Sequence, residues 1–167
     1  MSAAPSPLSR ALLILYLLSL LWLTLFKLSY DIPGVLLNHQ SRSLNLIPFH
    51  GLQRTGWSEA VSNLVTFVPL GLLLAMTFRT VAWWRLLLVA LAFSATLETL
   101  QYVVRIGASD VTDVVMNSLG TFVGLLTYWL IARGRRAAAT DWFIRVAGLA
   151  VFAMFLLLRL FVFRVYY

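Results

Sequence analysis

The sequence predicts an all-α, polytopic bundle of about five transmembrane helices, with an outer loop between the first two spans capping one end. Three observations predict it. Of 167 residues, 61% are hydrophobic and only 11% are charged, and the mean hydropathy is +0.89. A soluble domain is nearer about 45–50% apolar and about 25% charged. The apolar residues fall into long runs, and a spanning helix needs roughly 20 such residues. Trp57, Trp83, Trp84 and Trp142 stand at the edges of those runs, where interfacial indoles belong. A soluble globular enzyme and a disordered chain are both excluded. The chain has no Cys, so disulfides, thiol chemistry and thiolate metal sites are excluded too.

The elements follow in order. Residues 11–26 form the first run, behind a short head with Pro5, Pro7 and Arg10. No small-residue cleavage site follows, so this run reads as an uncleaved span rather than a signal peptide. The loop 28–59 contains Asn45-Leu46-Ile47-Pro48-Phe49, too short to span, which reads as a re-entrant or interfacial segment over the bundle. The further spans are residues 60–78, with Pro69 and Gly71, then 83–104, 111–132 and 142–158. The last carries an aromatic and basic tail.

Thirteen Lys and Arg against six Asp and Glu give a net charge of +7. With no aromatic-plus-basic nucleic-acid motif, this excess reads as topology signal and lipid contact, and no nucleic-acid partner is expected. Arg10, Arg79, Arg85, Arg133, Arg135, Arg136 and Arg145 collect on one side, mostly in short connections, against Lys27, Arg42, Arg54, Arg105, Arg159 and Arg164 on the other. The first side is read as cytoplasmic, which puts the N-terminus inside, the C-terminus outside, and the loop 28–59 and turn 105–110 outside.

The unusual polar residues gather at that outer end. Glu98, Gln101 and Arg105 are spaced by three and four, so they share a helix face. A charged carboxylate at mid-membrane costs roughly 2.5–3.5 kcal/mol, which turns Glu98 toward the bundle interior. Asp110, Asp113 and Asn117 repeat the spacing, and Gly120-x-x-x-Gly124 continues that face and admits a close neighbour. Asn63 and Thr66 open the second span. Structural roles compete for each. Asp110 is a good N-cap with Asp113 near the positive helix end, the Asn and Thr residues suit interhelical hydrogen bonding, and Arg105 suits a snorkelling anchor. Glu98 fits a structural role least well. One arrangement hydrogen-bonds Glu98 to Gln101 and an Asn of the second span, and pairs Arg105 with Asp113. His39 and His50 lack metal-ligand spacing, and no Ser-His-Asp set, phosphate loop or zinc-helix motif is present.

At these residues the sequence resembles the VanZ-like membrane protein family. The pieces occur in order: Asn45-Leu46-Ile47-Pro48-Phe49; Asn63 with Phe67-x-Pro69-Leu70-Gly71; Ser94, Glu98, Gln101 and Arg105; then Asp110, Asp113, Asn117, Gly120 and Gly124. The turn Ile106-Gly107-Ala108-Ser109 departs from the bulkier connection expected there. The resemblance implies a VanZ-like four-helix membrane domain over 1–133, with 134–167 as an additional fifth helix and tail. It implies a multi-pass protein of the bacterial cytoplasmic membrane, and a role in lowering susceptibility to the glycopeptide teicoplanin.

Three mechanisms stay open. In the first, an outward polar pocket of Asn45, Asn63, Gln101, Arg105, Asp110 and Asn117 binds the head group of a membrane lipid or lipid-linked envelope precursor, with Arg105 on a phosphate. In the second, an intramembrane enzyme modifies such a lipid, with Glu98 as general acid or base and Asp113 beside it. In the third, the chain is a non-catalytic partner of another membrane protein or of a second copy. No cofactor is expected; Asp110, Asp113 and Asn117 are the oxygen donors that would suit a divalent cation.

Overall fold

The computed structural model describes residues 6–26, 42–50 and 57–134, with the single residues 142, 145, 146 and 148. The chain runs through α1 (Pro7–Phe26), β1 (Arg42–Asn45), α2 (Trp57–Thr77), α3 (Trp83–Val104), β2 (Gly107–Asp110) and α4 (Val111–Gly134). All four helices are long and apolar enough to cross a membrane. They coincide with the first four expected spans to within a few residues. The expected fifth span, 142–158, lies almost wholly outside the described residues, as do His39 and the tail.

The helices alternate in direction. Thr77 Oγ1 donates to the Ser9 carbonyl at 3.5 Å, joining the end of α2 to the start of α1. Gln101 Nε2 donates to the Thr24 carbonyl at 2.8 Å, joining the C-terminal ends of α3 and α1. Tyr16 Oη donates to the Thr66 carbonyl at 2.6 Å and ties the middle of α1 to α2. α1 and α3 therefore run one way, and α2 and α4 the other.

The most extensive interface lies between the parallel helices α2 and α4, and glycines make it. A Cβ on Gly120 would strike the Leu64 carbonyl, and one on Gly124 would strike the Val68 carbonyl. A Cβ on Gly71 would strike the Thr121 carbonyl. Hydrocarbon tails compete equally with apolar side chains, so close backbone approach is what makes helices adhere in lipid. Around the seam, Leu20, Phe67, Leu70, Met76 and Leu97 are almost fully buried. The outward sides of the helices carry exposed Leu88, Val89, Trp129 and Leu130, as lipid-facing surfaces do.

One feature falls outside the all-α expectation. β1 and β2 form a two-stranded parallel pair, with Arg42 opposite Gly107 and Asn45 opposite Asp110. Each strand has four residues, too few for alternating hydrophobicity to register. The pair joins the long loop to the α3–α4 turn. It sits at the end of the bundle where α1 and α3 finish and α2 and α4 begin.

Candidate polar site at one end of the bundle

Four local decisions build this end. Arg105 closes α3 in the left-handed conformation, with φ 59° and ψ 34°, and its N–H bonds back to the Gln101 carbonyl. Ile106 N–H bonds to the same carbonyl at 3.1 Å and buries its side chain, which turns the chain sharply into β2. Asp110 Oδ1 then accepts from Thr112 N–H at 2.7 Å, the bond an N-cap side chain makes to the second helical residue. Its other oxygen, Oδ2, accepts from Asn45 Nδ2 at 2.9 Å, fastening β1 to the start of α4.

Glu98 is 8% exposed, and its Oε2 accepts from Asp110 N–H at 3.0 Å. The carboxylate thus receives a donor from the next element rather than from its own helix. Asp113 Oδ1 accepts from Asn63 Nδ2 at 2.6 Å, linking α4 to α2. One turn deeper, Asn117 Nδ2 donates to Ser94 Oγ at 2.9 Å, linking α4 to α3. Asn117 is 3% exposed, and its Oδ1 has no partner among the described residues. Thr121 Oγ1 donates to the Asn117 carbonyl at 3.0 Å.

Six of the eight residues singled out in the sequence, Asn45, Asn63, Glu98, Asp110, Asp113 and Asn117, therefore come together at one end. The other two lie apart from the expected pairings. Gln101 shares a helix with Glu98 but reaches α1, because a half-buried face of α3 is turned to the Thr24 carbonyl. Arg105 is not on Asp113. Its left-handed cap leaves the side chain exposed, without a hydrogen-bond or ion-pair partner among the described residues. Asn63 occupies the place on Asp113 that the arginine would have taken.

Among the described residues no three His, Cys, Asp or Glu side chains are grouped so as to hold a metal ion. Of the oxygen donors considered for a divalent cation, both Asp110 oxygens and Oδ1 of Asp113 already accept hydrogen bonds. Sequence reasoning passed over Glu59, in the first turn of α2 and one helical turn before the Asn63 that bonds Asp113. It also passed over Thr112, whose hydroxyl accepts from Phe49 N–H at 2.9 Å. The signal for Thr112 was its place two residues after a cap; nothing in the sequence marked its partner 63 positions earlier.

The segment after β1 lies against α4 by its backbone, while its side chains turn outward. Asn45 Oδ1 accepts from Ile47 N–H at 3.1 Å. Leu46 and Ile47 are 70% and 63% exposed.

Comparison with known proteins bears on the same residues. A model of the VanZ/LLP1 family matches residues 13–133, which takes in nearly all of the four helices and both strands. The sequence is 40% identical to Protein VanZ of Enterococcus faecium over 153 residues, 91% of this chain and 92% of that protein. No solved structure matches.

Proposed function

The chain belongs to the VanZ/LLP1 family, and on that premise we propose that it recognises the head group of a membrane lipid or lipid-linked envelope precursor at its polar end, and so lowers susceptibility to a teicoplanin-type glycopeptide. In this reading it is a non-catalytic protein of the bacterial cytoplasmic membrane, with the polar end facing outward and the N-terminus inside.

The observation that carries the reading is Arg105. It is a cation at the rim of the polar end, exposed and without a partner among the described residues. Its backbone is held in a conformation that ordinary residues adopt at a cost of roughly 1–2 kcal/mol. Glycine would sit there without that cost. An arginine therefore offers nothing to this turn that glycine would not offer better. A planar guanidinium that bonds a phosphate bidentately is a reason for its presence. The amides and carboxylates behind it are bonded to one another and to backbone, which suits a frame more than a reacting centre.

The test is Arg105→Gly. Thermal stability in detergent should hold or rise, while co-purified phospholipid and any protection against teicoplanin should fall. Undiminished lipid retention and undiminished protection in a folded Arg105→Gly protein would remove the proposal.

A further inference from the structure

The described loop residues present large apolar side chains where water would be expected. Leu44, Leu46, Ile47 and Phe49 are exposed, and Trp57, at the first residue of α2, is 63% exposed. Within β1 successive side chains point to opposite faces, so Asn45 reaches Asp110 while Leu44 turns away from it. Phe49 has φ 65°, a left-handed conformation that a bulky residue rarely adopts. That backbone is fixed by the bond from Phe49 N–H to Thr112 Oγ1, and the ring stacks on Trp57 with centroids 6.5 Å apart. The chain is thus built to hold these side chains outward.

Their depth identifies what covers them. Thr112 lies in the first turn of a membrane span, and Trp57 begins another. A backbone bonded to Thr112 sits level with the span ends, at the end of the bundle where the exposed Val103 and Val104 close α3. Through the Phe49–Trp57 contact the loop patch joins the exposed face of α2, which Val61 and Val65 continue at successive turns. A water-facing surface rarely carries so many neighbouring large apolar side chains. Indole at such a depth matches the interfacial aromatic belt.

We infer that Leu44, Leu46, Ile47, Phe49 and Trp57 form a hydrophobic foot immersed in the lipid leaflet at the polar end of the bundle. The strand pair then rides at head-group level instead of standing in water. This goes beyond head-group recognition and stands whether or not Arg105 binds a phosphate.

The chain has no native Cys, so single-cysteine spin labels report cleanly. Leu46→Cys and Ile47→Cys would be labelled in the full chain, reconstituted into phosphatidylglycerol and phosphatidylethanolamine nanodiscs. Thr80→Cys, in the exposed turn between α2 and α3, is the aqueous control, and Leu88→Cys, on the outward face of α3, is the lipid control. Collision with oxygen, relative to a water-soluble nickel chelate, should place Ile47 and Leu46 several-fold above Thr80 and near Leu88. Ratios at both loop sites matching Thr80 would overturn the inference. So would protection from both reagents, which would mean that protein covers the patch, a second copy included. Because these exposed substitutions leave the core untouched, co-elution with the wild type confirms that a negative result concerns the loop.

Discussion

Adding one methyl group at Gly124 tests whether the α2–α4 seam organises the molecule. A Cβ there would lie 2.9 Å from both Gly71 Cα and Leu72 N, and nearer still to the Val68 carbonyl oxygen. Ordinary contact begins at 3.4 Å, so the helices must part by at least 0.5 Å at the first two atoms and by more at the carbonyl. All three obstacles are main-chain atoms, and no rotamer change can relieve them. Overpacking in a tight core costs about 1–3 kcal/mol. With backbone on both sides, Gly124→Ala is expected at the upper end, about 3 kcal/mol. For a chain of this length each kcal/mol moves Tm by roughly 2–4 °C, so unfolding in detergent should fall by about 6–12 °C. Gly148→Ala is the internal control, since a Cβ there meets nothing within 4 Å. Gly120 and Gly124 face the same partner, so once one methyl has separated the helices the second should cost less. The double variant should then be milder than the sum of the singles. A Gly124→Ala protein that melts with the control would refute the seam as described.

The remaining predictions concern the polar end. Asn63→Leu strands the Asp113 carboxylate and should destabilise by about 1–3 kcal/mol, whereas Asn63→Leu with Asp113→Leu should recover part of the loss. The coupling in that double-mutant cycle, measured by unfolding in detergent, should fall between about 0.6 and about 1.7 kcal/mol, the average and the maximum seen for interhelical hydrogen bonds in a membrane protein. Glu98→Gln keeps a side-chain oxygen to accept from Asp110 N–H, so fold and lipid retention should persist. A susceptibility assay that shows complete loss of function in a stable Glu98→Gln protein would favour the acid–base role over the framing role.

The spans were legible because hydrophobic runs of helical length are a signal carried by each residue independently. The close approach at Gly120 and Gly124 was also legible, since small residues four apart mark a helix seam. Its partner was less so: nothing local sets Gly71, two residues after Pro69, against α4, and only the packing shows it facing Thr121 and Gly124. The polar residues were legible as a set and not as pairs. Spacing places Glu98, Gln101 and Arg105 on one helix face, yet a face about 100° wide meets more than one neighbour. Gln101 meets α1, Glu98 meets the start of α4, and the left-handed cap turns Arg105 away from both. The strand pair was illegible because it joins four-residue segments some 65 positions apart, and nothing local encodes that meeting.

These pairings bear on which residues are available to a ligand. In lipid, hydrophobic burial alone does not choose a helix register, because tails solvate Leu as well as Leu does. Register must come from steric seams and from directional polar contacts. The seam of Gly71, Gly120 and Gly124 sets α4 against α2 through the apolar part of the bundle. At the polar end the same task falls to Asn63–Asp113, Asn117–Ser94 and Glu98 with the Asp110 N–H, which fix α4 against α2 and α3. A group committed to fixing a helix is poorly placed to change its partner during each binding event. Releasing Asp113 from Asn63, or Glu98 from Asp110, would loosen the frame that positions everything else. Among the described residues of this end, Arg105 is a cation that the frame does not use, so the proposed head group could engage and release it without that consequence.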